Sequence, residues 1–155
     1  MKTTIFLGAM LSLLVCLMFT GCSNSETNST SRGLTDFAHI EEEYLATIDS
    51  LNWPDGITLP DKLEDEDTGA SFQVGYGETR ASYLWEYSWM KEWLDTYNTD
   101  PERAEKALEE LEKAFDMPYM GIDRCDDATR NYLRENIDKA KLGDPSGSVS
   151  YTHLT

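Results

Sequence analysis

Apolar residues fall into three regimes along this chain. From Ile5 to Phe19 they run together without a charge. From Ser23 to Ser31 they vanish, leaving Ser, Asn, Thr and one Glu. From residue 34 onward they recur at helical spacing. Phe37, Ile40, Tyr44, Ile48 and Leu51 lie three or four residues apart, which sets them on one face and predicts a helix over 34–51. Glu41, Glu42, Glu43 and Asp49 are expected mostly to turn away, with Asp36 or Thr35 capping the start. Asn52-Trp53-Pro54-Asp55-Gly56 ends that helix, because Pro and Gly punctuate turns.

Residues 52–77 read as irregular. Glu64-Asp65-Glu66-Asp67 reads as a solvated charge patch. Ser71 to Val74 has the composition of a short strand without an evident partner. Gly75-Tyr76-Gly77 reads as a loop leading into the next helix. It is no dinucleotide fingerprint, since a third Gly and a long preceding strand are missing.

Over 78–98 two stripes share one helix. Tyr83, Tyr87, Met90, Leu94 and Tyr97 form one, and Trp85, Trp89 and Trp93 the other. Arg80, Ser88, Lys91 and Asp95 occupy the remainder. A helix apolar over more than half its circumference packs on two sides, so this one is expected at the centre. Over 100–116, Asp100 is the expected N-cap and Pro101 the first helical residue. Ala104, Ala107, Leu108, Leu111, Ala114 and Phe115 form its face, and Met117-Pro118 ends it. The last helix spans 126–141, capped by Asp126 or Asp127, with Tyr132, Leu133, Ile137 and Ala140 inward and Gly143 terminating. The expected fold is all-α: a small bundle of about four helices, residues 34–145, with the irregular region at 52–77.

Composition narrows the function. The chain has 155 residues, enough for one domain, and a formal charge of −16. That charge leaves no basic footprint for nucleic acid, which is excluded as a partner. Two His and three Cys leave little for a metal cage, and no cofactor is expected.

The apolar run Ile5–Phe19 follows Lys2 and is about 15 residues long, shorter than a membrane span of ~20. It fits the apolar core of a secretory signal peptide. Phe19-Thr20-Gly21-Cys22 then resembles the lipobox of bacterial lipoproteins, although Leu is usual where Phe19 stands. The resemblance covers residues 1–22 and implies a signal over 1–21 and a diacylglycerol on the Cys22 thiol. It also implies residence at the cell membrane on the extracytoplasmic face, palmitate labelling and a flexible polar tether over 22–33. Loss of Lys2 would take the charge from −16 to −17. Cys125 would be the one free thiol, read as buried and inert rather than as an intermolecular link.

Residues 146–155 read as a disordered tail. Within it, residues 149–154, Val-Ser-Tyr-Thr-His-Leu, match one reading frame of a transposon-end sequencing adapter. On that reading His153 is foreign, and His39 is the one histidine of the body.

Candidate chemistry is sparse. Glu86 projects between the two aromatic stripes, where partial desolvation would raise its pKa and suit it to general acid or base work. The plainer expectation is an ion pair with an Arg such as Arg130 or Arg134, or a place at a gap between helices. Trp85, Trp89 and Trp93 are candidate ligand-binding residues in a groove, or simply core. His39 lacks convergent metal ligands, and the 64–67 run lacks the spacing of a calcium loop. The sequence therefore favours a lipid-anchored extracytoplasmic binding module whose partner is an envelope protein or small ligand. The alternative is a cell-envelope enzyme using Glu86.

Overall fold

A computed structural model describes residues 33–152 of the chain. The element order is β1 (Leu34–Thr35), α1 (Phe37–Ser50), β2 (Phe72–Gln73), α2 (Tyr76–Thr96), α3 (Pro101–Glu112), α4 (Asp127–Lys141) and α5 (Ser146–Thr152). Two 3-10 turns, Lys113–Asp116 and Pro118–Met120, join α3 to α4. The protein is a small helical bundle, as the apolar spacing predicts.

Each helix starts where its capping chemistry dictates. The Asp36 carboxylate accepts the His39 N–H at 3.1 Å, Asp100 accepts that of Arg103 at 3.2 Å, and Asp126 accepts that of Thr129 at 2.7 Å. The α2 start differs. Its N-cap is Gly75 at φ 88°, which has no side chain to offer. Glu43 reaches over from α1 instead and accepts the Gly75 N–H at 2.8 Å and the Gly77 N–H at 3.2 Å. Glu43 therefore turns inward rather than to solvent. Glu41 does likewise, accepting the Leu63 N–H at 3.2 Å.

α2 is the central helix. On one side Ala81 meets Ile40, Tyr44 and Ile48 of α1, with Leu63 from the long loop. On the other, Trp85, Trp89, Met90 and Trp93 join a core with Ala104, Ala107 and Leu111 of α3 and Leu133, Ile137 and Ala140 of α4. The α1–α2 crossing is close enough that a Cβ on Gly77 would sit 1.8 Å from the Ile40 carbonyl oxygen. Small hydroxyl residues also line α2's buried surface. Ser82, Ser88 and Thr96 each bond a carbonyl four residues back, at 2.8, 2.7 and 2.6 Å. Ser88 is thus buried, contrary to its expected place on the polar remainder, because bonding its own helix satisfies its hydroxyl.

Four expectations are corrected. The strand at 72–73 does have a partner: Leu34 pairs with Gln73 and Thr35 with Phe72, antiparallel, immediately before α1. Glu66 of the acidic run is not simply solvated, since it accepts the Tyr76 hydroxyl at 2.7 Å and lies 3.5 Å from Arg80. Tyr132 is exposed, and Asn136 takes the inward position beside Leu133, Ile137 and Ala140. The tail expected to be disordered continues as α5 through Thr152. Asp144 accepts the Ser146 N–H at 2.9 Å there, and Gly147 lies so close to α4 that a Cβ would meet Asn136 Oδ1 at 2.4 Å.

Candidate functional site

Glu86 is sealed in the core at 1 % exposure. Its Oε2 accepts the Tyr119 hydroxyl at 2.6 Å. Tyr119 comes from the short turn Pro118–Met120, and its ring meets Tyr83 edge-on with centroids 5.6 Å apart. Neither expected arginine fills this role. Arg130 donates to the Met120 and Cys125 carbonyls and pairs with Asp127, while Arg134 lies over the Phe115 ring at 4.5 Å. The partner is a phenol because the 3-10 turn, not the α4 face, closes over this part of α2. Tyr83, expected to be apolar-facing, is 44 % exposed and covers the pair from outside. A general acid or base must come within hydrogen-bond reach of its substrate, and burial at this depth denies the Glu86 carboxylate that contact.

Cys125 sits beside this cluster. Its Sγ lies 3.6 Å from Met120 Sδ, and burial pushes the thiol above its ordinary pKa despite the opposing pull of Arg130. A protonated thiol is a poor nucleophile and a poor metal ligand. His39 Nε2 lies 3.3 Å from Glu43 on its own helix. Among the described residues no group of His, Cys, Asp and Glu gathers in a way that could hold a metal.

The tryptophan stripe divides. Trp85 and Trp89 both donate their indole N–H to one acceptor, the Asn52 carbonyl, at 2.7 and 3.1 Å. They fasten the start of the long loop to α2 and offer a ligand nothing. Trp93, 2 % exposed, stacks on Tyr97 with centroids 4.8 Å apart and planes 25° from parallel. Together these two rings floor an open groove of about 460 Å³ between the C-terminal turns of α2, the length of α3 and the end of α4. Pro101, Ala104 and Leu108 supply apolar wall, and Glu105, Glu109 and Glu112 a carboxylate rim. Glu112 pairs with Lys141 across the groove's far end. Glu105 and Glu109 have no salt-bridge partner among the described residues.

Of the three candidate tryptophans, Trp93 is the one that lines this groove, with 2 % of its surface exposed. Tyr97, Leu108, Glu105 and Glu109 were not singled out by sequence. The repeat of Glu105 and Glu109 beside Leu108 was legible, but the opposing wall, Ala140 to Gly143, comes from a helix about thirty residues later. No protein family matches the chain, and neither a curated protein nor a solved structure does. Cys22 and its flanking segments, and His153, lie outside the described residues. Among the described residues no helix is long and apolar enough to cross a membrane.

Proposed function

We propose that this protein is a lipid-anchored, non-enzymatic binding module of the cell envelope, and that the groove over Trp93 and Tyr97 is its binding face. The observation that carries the reading is the contrast between two sites. The one residue suited to catalysis by pattern, Glu86, is closed off by Tyr119. The Tyr97 and Trp93 ring pair, by contrast, lines an open cavity of a size that binding sites use. The signal, the lipobox-like Phe19-Thr20-Gly21-Cys22 and the polar run after it support a tether to the membrane.

Two measurements test it. Radiolabelled palmitate should enter the wild-type chain and not Cys22→Ala; label in the variant refutes the anchor. Trp93 lies against the groove, so tryptophan fluorescence should shift when detergent-solubilised envelope is titrated in. Leu108→Arg should abolish that shift, whereas Glu86→Gln should retain it. Loss of the response in Glu86→Gln alone, in a folded protein, would favour the enzyme reading.

A further inference from the structure

The groove's shape and charge define what fits it, on the reading that it is the binding face. Its walls differ chemically from its floor. Tyr97, Ala104 and Leu108 are apolar, while Glu105 and Glu109 stand on the same helix one turn apart with no salt-bridge partner among the described residues. Of the nearby lysines, Lys141 is engaged by Glu112, and Lys106 lies over the Trp89 ring at 5.7 Å. The C-terminal turns of α2 and α4 both border the groove, and their last carbonyls are taken, Thr96 by the Thr99 and Asp100 N–H groups and Lys139 and Ala140 by those of Asp144 and Gly143. The one N-terminus present, that of α3, is already capped by Asp100.

These features favour a cation set beside an apolar group. The electron-rich face of Tyr97 suits the same combination. The cavity is a trough rather than an enclosed chamber. It follows α3 from Pro101 to Glu112, about 16 Å at 1.5 Å per residue. An extended segment of about five residues covers that length, and its alternate side chains point in opposite directions. One set would meet the apolar floor and the other the carboxylate rim. A second copy of this chain is a poor occupant, because it brings a further −16 charge to an acidic rim.

We propose that the groove takes a short, extended segment of a partner protein in which Arg or Lys alternates with apolar residues. The test uses the full-length chain in non-ionic detergent and a dye-labelled peptide, acetyl-Arg-Leu-Arg-Leu-Arg-amide, followed by fluorescence anisotropy. Acetyl-Glu-Leu-Glu-Leu-Glu-amide and arginine ethyl ester serve as comparison ligands. The basic peptide should bind, and salt should weaken it. The double change Glu105→Lys with Glu109→Lys should weaken binding by about tenfold or more, while Glu42→Lys with Asp49→Lys, equal in charge but placed on α1, should leave it nearly unchanged.

Equal loss in both double variants would overturn the proposal, since attraction would then follow net charge and not the groove. Equal binding of the acidic peptide, or no binding of the basic one, would also overturn it. Arginine ethyl ester binding as tightly as the peptide would replace the protein segment with a small cation. In each failure the fluorescence response to envelope and its loss in Leu108→Arg remain separately readable. The proposed binding face therefore stands or falls independently of the ligand's charge.

Discussion

One hydrogen bond, from the Tyr119 hydroxyl to Glu86 at 2.6 Å, fastens the turn after α3 onto the middle of α2. A buried carboxylate left without this donor is costly, so Tyr119→Phe should lower stability by about 1–3 kcal/mol. Glu86→Gln should cost less, because the amide oxygen still accepts from the phenol. Urea unfolding of both variants checks the order, and an unaltered midpoint for Tyr119→Phe would contradict it. The position of Glu86 among apolar neighbours was legible from helical spacing. Its partner was not, since periodicity describes one helix and Tyr119 is 33 residues away in a segment too short to show a period. Trp85 and Trp89 repeat the lesson. Their burial follows from spacing, but their shared acceptor, the Asn52 carbonyl, belongs to a loop whose path no pattern specifies.

Between elements, the α1–α2 pair rests on two residues that composition alone undervalues. Glu43 looks like one member of an acidic solvent face, yet it supplies the cap that Gly75 cannot. Glu43→Ala leaves two α2 N–H groups without that acceptor and should cost about 1–3 kcal/mol, read as a lower thermal midpoint. Gly77 allows the helices to approach to backbone contact. Gly77→Ala places a methyl where the Ile40 carbonyl already stands, and the expected loss is about 3 kcal/mol or more, above the ordinary cost of overpacking because a backbone must move. Thermal unfolding of that variant within a degree or so of wild type would refute the close crossing. Other boundaries were open to reading. Gly143, at φ 77°, ends α4 with its N–H on Ala140 and that of Asp144 on Lys139, the double-bonded termination that a glycine after a helix signals. The strand partner of Phe72–Gln73 escaped because Leu34–Thr35 is two residues long and lies against the first helix's start.

Across the whole molecule, acidity and layout act together. Asp126 and Asp144 each accept backbone N–H groups, Thr129 and Ser146 respectively, which hold their carboxyls below the usual aspartate range. Their folded pKa values lie beneath the unfolded ones, so this stabilisation is complete above the ordinary aspartate pKa of about 3.9 and is lost as pH falls through the folded values. Stability measured from neutral pH downward should decline in that acid range. Asp126→Asn, which keeps the capping acceptor but does not titrate, should decline less steeply than wild type. The layout also gives the groove a direction. The chain joins the fold through β1, which pairs just before α2 begins, whereas Trp93 lies 17 residues into α2, about 26 Å along the helix. On the proposed anchor at Cys22, the proposed binding face is therefore at the far end of the bundle from β1, where the described chain begins. Net negative charge would hold the domain off anionic lipid and leave that face open. The most direct measurement places a photo-crosslinking amino acid at Leu108, in the groove, and in a second protein at Glu42, on α1, and irradiates intact cells of the source organism. A discrete adduct is expected from position 108, absent from position 42 and lost when Glu105→Lys and Glu109→Lys are added; equal adducts from both positions, or none from 108, would refute the groove as the binding face.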